Sequence, residues 1–151
     1  MIKKFLKKIP RIGYSFASVV AVSAINYSII HSPLVFVYVC VLLAHELGHY
    51  FAAKRHNANP KLPIFIPLPF ILIAMVYVEH LTDDGIKDIA LYGPVAGFVA
   101  ALLFLVANAI YQFAATLPIL ILACSEIVLN YFGSDGKKYR DASRSLSCQY
   151  Y

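Results

Sequence analysis

The chain has 151 residues, enough for one domain; 60% of them are apolar and only 14% charged. Average soluble proteins have about 45–50% and about 25%, so a soluble globular class is excluded and a single membrane-embedded domain over residues 1–151 is expected. The formal charge of +5 gathers at the ends of apolar runs without interleaved aromatics, which points to anionic lipid headgroups and away from nucleic acid.

Residues 1–11, "MIKKFLKKIPR", form a basic N-terminus. After Arg11 no Lys or Arg occurs until Lys54, a gap of 42 residues, and after Lys87 none until Lys137, a gap of 49. One span takes about 20 residues, so each gap holds two helices and a tight turn. "HSP" at 31–33 and "ATLP" at 115–118 supply the turns. Four transmembrane helices are therefore expected, over 13–30, 34–55, 89–113 and 117–132. All 13 basic residues then lie on one side, which the positive-inside rule makes the cytoplasm. Both termini are expected there.

The second expected helix contains "HELGH", residues 45–49. Residues four apart share a helix face, so His45 and His49 can offer two imidazoles to one ion. Glu46 is placed to act as a base toward an attacking water. Gly48 allows a neighbouring backbone or a substrate to come close. Ionisable groups this deep in an apolar helix are costly and mark function. By contrast, His56 reads as interfacial and His31 as part of the outer turn.

Between the second and third helices, 62–80 is apolar enough to span. However, Pro63, Pro67 and Pro69 break a helix, and β-branched and aromatic residues over 71–78 favour strand. Bare strand edges are not tolerated in lipid unless protein covers them. A re-entrant β-loop meets both constraints and offers an edge to an extended peptide.

The acidic run "YVEHLTDDGIKD", 77–88, contains Glu79, His80, Asp83, Asp84 and Asp88. It reads as a solvated loop starting the third helix, with Asp83 or Asp84 as the cap. "GPVAGFVAA", 93–101, brings small residues that suit close packing on the metal helix; Gly93–Pro94 marks a kink or the helix start. Asn26 and Asn108 are each expected to hydrogen-bond a neighbouring helix. Cys40, Cys124 and Cys148 form no disulfide pattern.

A catalytic zinc takes three protein ligands and an open position. Two carboxylates compete for the third place. Glu126 in "LACSEIVLN" matches Glu46 in depth, while Asp135 in "FGSDGKK" lies in an expected turn, Gly133–Gly136, that can fold back to the metal. The tail 137–151 is basic and amphiphilic, suited to the inner leaflet.

HELGH at 45–49, GPVAG at 93–97 and "NYFGSDG" at 130–136 together resemble the site-2 proteases. These are intramembrane zinc metalloproteases that cut transmembrane segments of other proteins. The resemblance spans about residues 34–140. It implies His45, His49 and Asp135 as zinc ligands, Glu46 as base, Asn130 as a substrate-holding residue, and a re-entrant β-loop. It further implies a cytoplasm-facing active site in a bacterial or archaeal cell membrane, and single-span proteins or remnant signal peptides as substrates. The chain departs from the family in three ways. Gly97 stands where Asn is frequent; Ser134 precedes the aspartate where Leu is usual; the asparagine-to-aspartate spacing is short and lacks prolines. No PDZ or CBS segment is present, so a minimal catalytic core is expected. The competing classes are an inactive relative that binds membrane segments and a metal transporter.

Overall fold

A computed structural model describes residues 11–67, 72–75 and 83–149. The described elements are α1 (Arg11–Ile30), α2 (Leu34–Arg55), β1 (Ile64–Pro67), β2 (Leu72–Met75), α3 (Asp83–Tyr111), α4 (Thr116–Phe132) and α5 (Ser134–Gln149). Three helical stretches, Ile12–Ile30, Leu34–Arg55 and Asp84–Tyr111, are long and apolar enough to cross a membrane; Thr116–Val128 is a shorter apolar stretch. The protein is mostly helical, with the features of an α-helical membrane protein. Large apolar side chains such as Phe16, Leu103, Val106 and Ile110 are correspondingly exposed on the outside of the bundle.

The helix α2 is the central element because it is apolar on two faces. Val37 and Val41, one turn apart, pack with Ala101 of α3 and with Ile119 and Ala123 of α4. Val35 and Val39, on another face, pack with Val22 of α1 and Phe65 of β1. A helix buried on several sides needs no single apolar stripe. That position between two packed groups holds the HELGH segment still.

Crossing of α2 and α3 is close. A Cβ on Gly48 would strike the Tyr92 carbonyl oxygen and come within 2.9 Å of the Ala96 side chain. Small residues at such a crossing let two backbones approach, as expected of the GPVAG stretch. The first turn of α3 begins at Asp83, six residues before the expected start at 89, because the polar segment with Asp84 and Asp88 continues the helix past its apolar part. Acidic residues suit a helix N-terminus. Pro94 stands inside α3, which runs on through it, so Gly93–Pro94 does not mark the start.

The extended segment is an antiparallel pair, with Ile64 opposite Met75, Phe65 opposite Ala74 and Ile66 opposite Ile73. It docks on α1: Ser15 Oγ donates to the Pro63 carbonyl at 2.6 Å, and the Phe65 N–H donates to Ser18 Oγ at 3.1 Å. Asn108 joins α3 to α4 by donating to Thr116 Oγ1 at 3.1 Å and accepting the Ala114 N–H at 2.9 Å. Asn26 donates to the Val22 carbonyl within its own helix.

One expectation is corrected. Residues 133–136 are not a free turn: the break after α4 is confined to Gly133, and Ser134 opens α5. Asp135 in the first turn favours that restart through the helix dipole, and the Lys137 N–H reaches back to the Gly133 carbonyl at 3.1 Å. The basic tail is therefore helical to Gln149. Glu79 and His80 of the acidic run lie outside the described residues.

Candidate metal centre

Two elements bring three functional side chains to one point. His45 and His49 come from one face of α2, and Asp135 from the first turn of α5. Their ligating atoms could hold a metal ion. His45 Nε2 and His49 Nε2 are 3.0 Å apart. Asp135 Oδ2 lies 3.4 Å from the first and 3.3 Å from the second. All three residues are between 6% and 9% exposed, so water does little to screen them.

The opposite ring edges decide what these atoms are. His49 Nδ1 is 2.7 Å from the Ile89 carbonyl, which can only accept, so Nδ1 carries a proton. His45 Nδ1 is 2.7 Å from Glu126 Oε2, and a carboxylate likewise accepts. Both neutral rings then present unprotonated Nε2 lone pairs. Two lone pairs 3.0 Å apart, facing a carboxylate oxygen, repel one another unless a cation shares the space. The donor set could hold a metal ion and is unfavourable without a positive charge, whether a metal ion or an added proton.

Asp135 is suited to remain the anion of the set. Its Oδ2 faces the Nε2 atoms of both histidines, where a shared cation would favour the charged carboxylate over the neutral acid. Lys138, one turn on, adds a loose ion pair at 3.8 Å from Asp135 Oδ1.

Glu46 is buried at 7% exposure and lies within electrostatic reach of His45, His49, Asp135 and Lys138. Glu126 reaches the centre at His45 Nδ1, the far edge of the ring, and so is outside the group of converging ligand atoms. Asn130, one turn further along α4, donates to the Glu126 carbonyl at 3.0 Å and to Glu126 Oε2 at 3.1 Å.

Glycines clear the ground around this cluster. A Cβ on Gly93 would collide with the His49 ring. A Cβ on Gly97 would stand 2.6 Å from Glu126 Oε2 and 3.2 Å from His45 Cβ. The GPVAG segment is therefore the wall against which both histidines lie.

Two contacts were missed in the sequence. His56 meets Asp88 at 2.8 Å, and Arg55 donates to the Tyr92 hydroxyl at 3.1 Å. Both tie the end of α2 to the first turns of α3; the only sequence signal was opposite charge at two helix ends. No family model, curated protein or solved structure matches the chain.

Proposed function

We propose that this protein is a zinc-dependent intramembrane endopeptidase of the site-2 type. The observation that carries the reading is the convergence of His45 Nε2, His49 Nε2 and Asp135 Oδ2 beside Glu46, on an otherwise apolar helix. A tetrahedral ion at about 2.0–2.1 Å from each ligand sets its ligand atoms about 3.3–3.4 Å apart. The separations of 3.0, 3.3 and 3.4 Å suit zinc.

His45, His49 and Asp135 would hold the ion, which when bound would supply a water of lowered pKa and polarise a carbonyl oxygen. Glu46 accepts the proton of the attacking water and returns it to the leaving amine. Asp135 and the two imidazoles supply one negative charge, leaving a net positive centre toward a developing oxyanion. The Asn130 side-chain carbonyl is then the group that would accept a substrate backbone N–H.

A substrate helix must open before it is cut, because its carbonyls are held in i to i−4 bonds. The hairpin offers the alternative partner. The Phe65 N–H and the Pro63 carbonyl point to α1 and are taken by Ser18 and Ser15, so the outer edge of β1 is closed. By the antiparallel alternation, the groups of Ala74, opposite Phe65, face the other way, at the outer edge of β2. An extended substrate segment would pair there. In this reading α4, 17 residues long and so about 26 Å at 1.5 Å per residue, is a fourth span. The β-loop is re-entrant, and the centre opens to the cytoplasm.

Zinc per chain in detergent-purified protein tests the reading. About one zinc in wild type, lost in His45→Ala and Asp135→Ala, with cleavage of a single-span reporter abolished by Glu46→Gln, is the expected result. Zinc-loaded wild type that cuts no membrane segment, or cuts equally well as Glu46→Gln, would favour the inactive binding protein.

A further inference from the structure

We infer that Glu126 is the positioning residue for the metal ligand His45, held by Asn130 in a space that Gly97 leaves open. The inference rests on the metal-centre reading and assigns Glu126 a part distinct from ligation. Three separate observations support it.

Glu126 Oε2 receives the His45 Nδ1–H at 2.7 Å. This fixes the tautomer, aims the Nε2 lone pair at the converging point, and makes the imidazole a stronger donor through the adjacent negative charge. Carboxylate–histidine–metal relays work in this way. His49 has only a neutral partner, the Ile89 carbonyl, so the carboxylate sets the two ligands apart.

The carboxylate is also fixed from behind. Asn130 donates to the same Oε2 at 3.1 Å and to the Glu126 carbonyl at 3.0 Å. Glu126 is 7% exposed, so bulk water does not stabilise its charge, and the Asn130 amide and the His45 N–H take that role. A line of contact thus runs from α4 to the centre on α2.

The third observation is space. Any Cβ at position 97 would fall 2.6 Å from Oε2 and 2.8 Å from Cδ of Glu126. The carboxylate is the end of a flexible side chain and would move aside, leaving His45 without its partner. Gly97 therefore has a stated function here: it is the vacancy that Glu126 fills.

The test uses Co2+ as a probe on metal-stripped, detergent-purified full chain, titrated against a competing chelator, with the visible absorption of the bound ion as a second readout. Glu126→Leu, of similar size but without an acceptor, is expected to bind Co2+ about 10–100-fold more weakly and to shift the visible band. Glu126→Gln, which keeps an acceptor oxygen but no charge, should fall between Leu and wild type, and it remains decisive if the Leu variant does not fold. Gly97→Ala should weaken binding on its own and less so in the Glu126→Leu background, since its main clash is with the Glu126 carboxylate and only the 3.2 Å approach to His45 Cβ remains. Wild-type affinity and an unchanged band in both Glu126 variants would overturn the inference while leaving the metal centre intact. So would a Gly97→Ala effect that persists in full when Glu126 is already Leu. A wild-type chain that binds no Co2+ would remove the metal reading itself, and this inference with it.

Discussion

At the level of single residues, the geometry separates roles that chain position alone left open. Asp135 and Glu126 were both credible third ligands, one by its turn and one by its depth. Asp135 faces Nε2 of both histidines, and Glu126 takes the other side of one ring. The HELGH triplet was legible because a 3.6-residue period fixes which side chains share a face. The contact of Glu126 with His45 was not, since the two lie 81 residues apart and no local spacing encodes that distance. If Glu46 is the general base proposed above, Glu46→Gln should lower cleavage by about 10²–10⁴-fold with zinc content unchanged, read from reporter cleavage and metal analysis on one preparation. A Gly93→Ala variant should lose metal although position 93 ligates nothing, because its methyl group would take the place of the His49 ring. Retained metal in that variant would show that α3 can shift to make room.

At the level of elements, the helix bounds followed from charge gaps and turn residues, and α2 runs from Leu34 to Arg55 as expected. The gaps reveal where apolar stretches end, not where helices do. This is why α3 begins earlier in its polar approach and why α5 restarts at once after Gly133. The hairpin was legible as extended chain, but its docking on α1 through Ser15 and Ser18 was not, since serine in an apolar helix names no partner. Removing the Ser18 hydroxyl should leave the Phe65 N–H without its acceptor, at a cost of about 1–3 kcal/mol if no water replaces it, seen as a lower unfolding midpoint in Ser18→Ala. The outer edge of β2 carries a sharper expectation. Ala74→Pro deletes one outward donor while keeping an extended backbone. It should reduce kcat/KM for a membrane substrate by several-fold, roughly the 0.5–1.5 kcal/mol of one hydrogen bond, and leave zinc binding alone. An unchanged kcat/KM would place the substrate elsewhere.

For the whole molecule, charge asymmetry predicts one orientation. With single cysteines introduced as His31→Cys and Lys137→Cys, in a background free of the native ones, an impermeant maleimide should label position 31 only from outside and position 137 only from the cytoplasmic side. Labelling of both from one side would break the four-span arrangement. The ligand set is also scattered unevenly along the chain: His45 and His49 come from its first third, and Asp135 follows 86 residues after His49. Synthesis at about 5–20 residues per second therefore leaves about 4–17 s in which a nascent chain has both imidazoles but not yet the carboxylate. If the centre cuts membrane segments as proposed, the growing polypeptide through that interval sits beside other newly inserted segments with its cutting centre unfinished. In that case the order in which the ribosome delivers the ligands would act as a safety catch, released when α5 folds back onto α3.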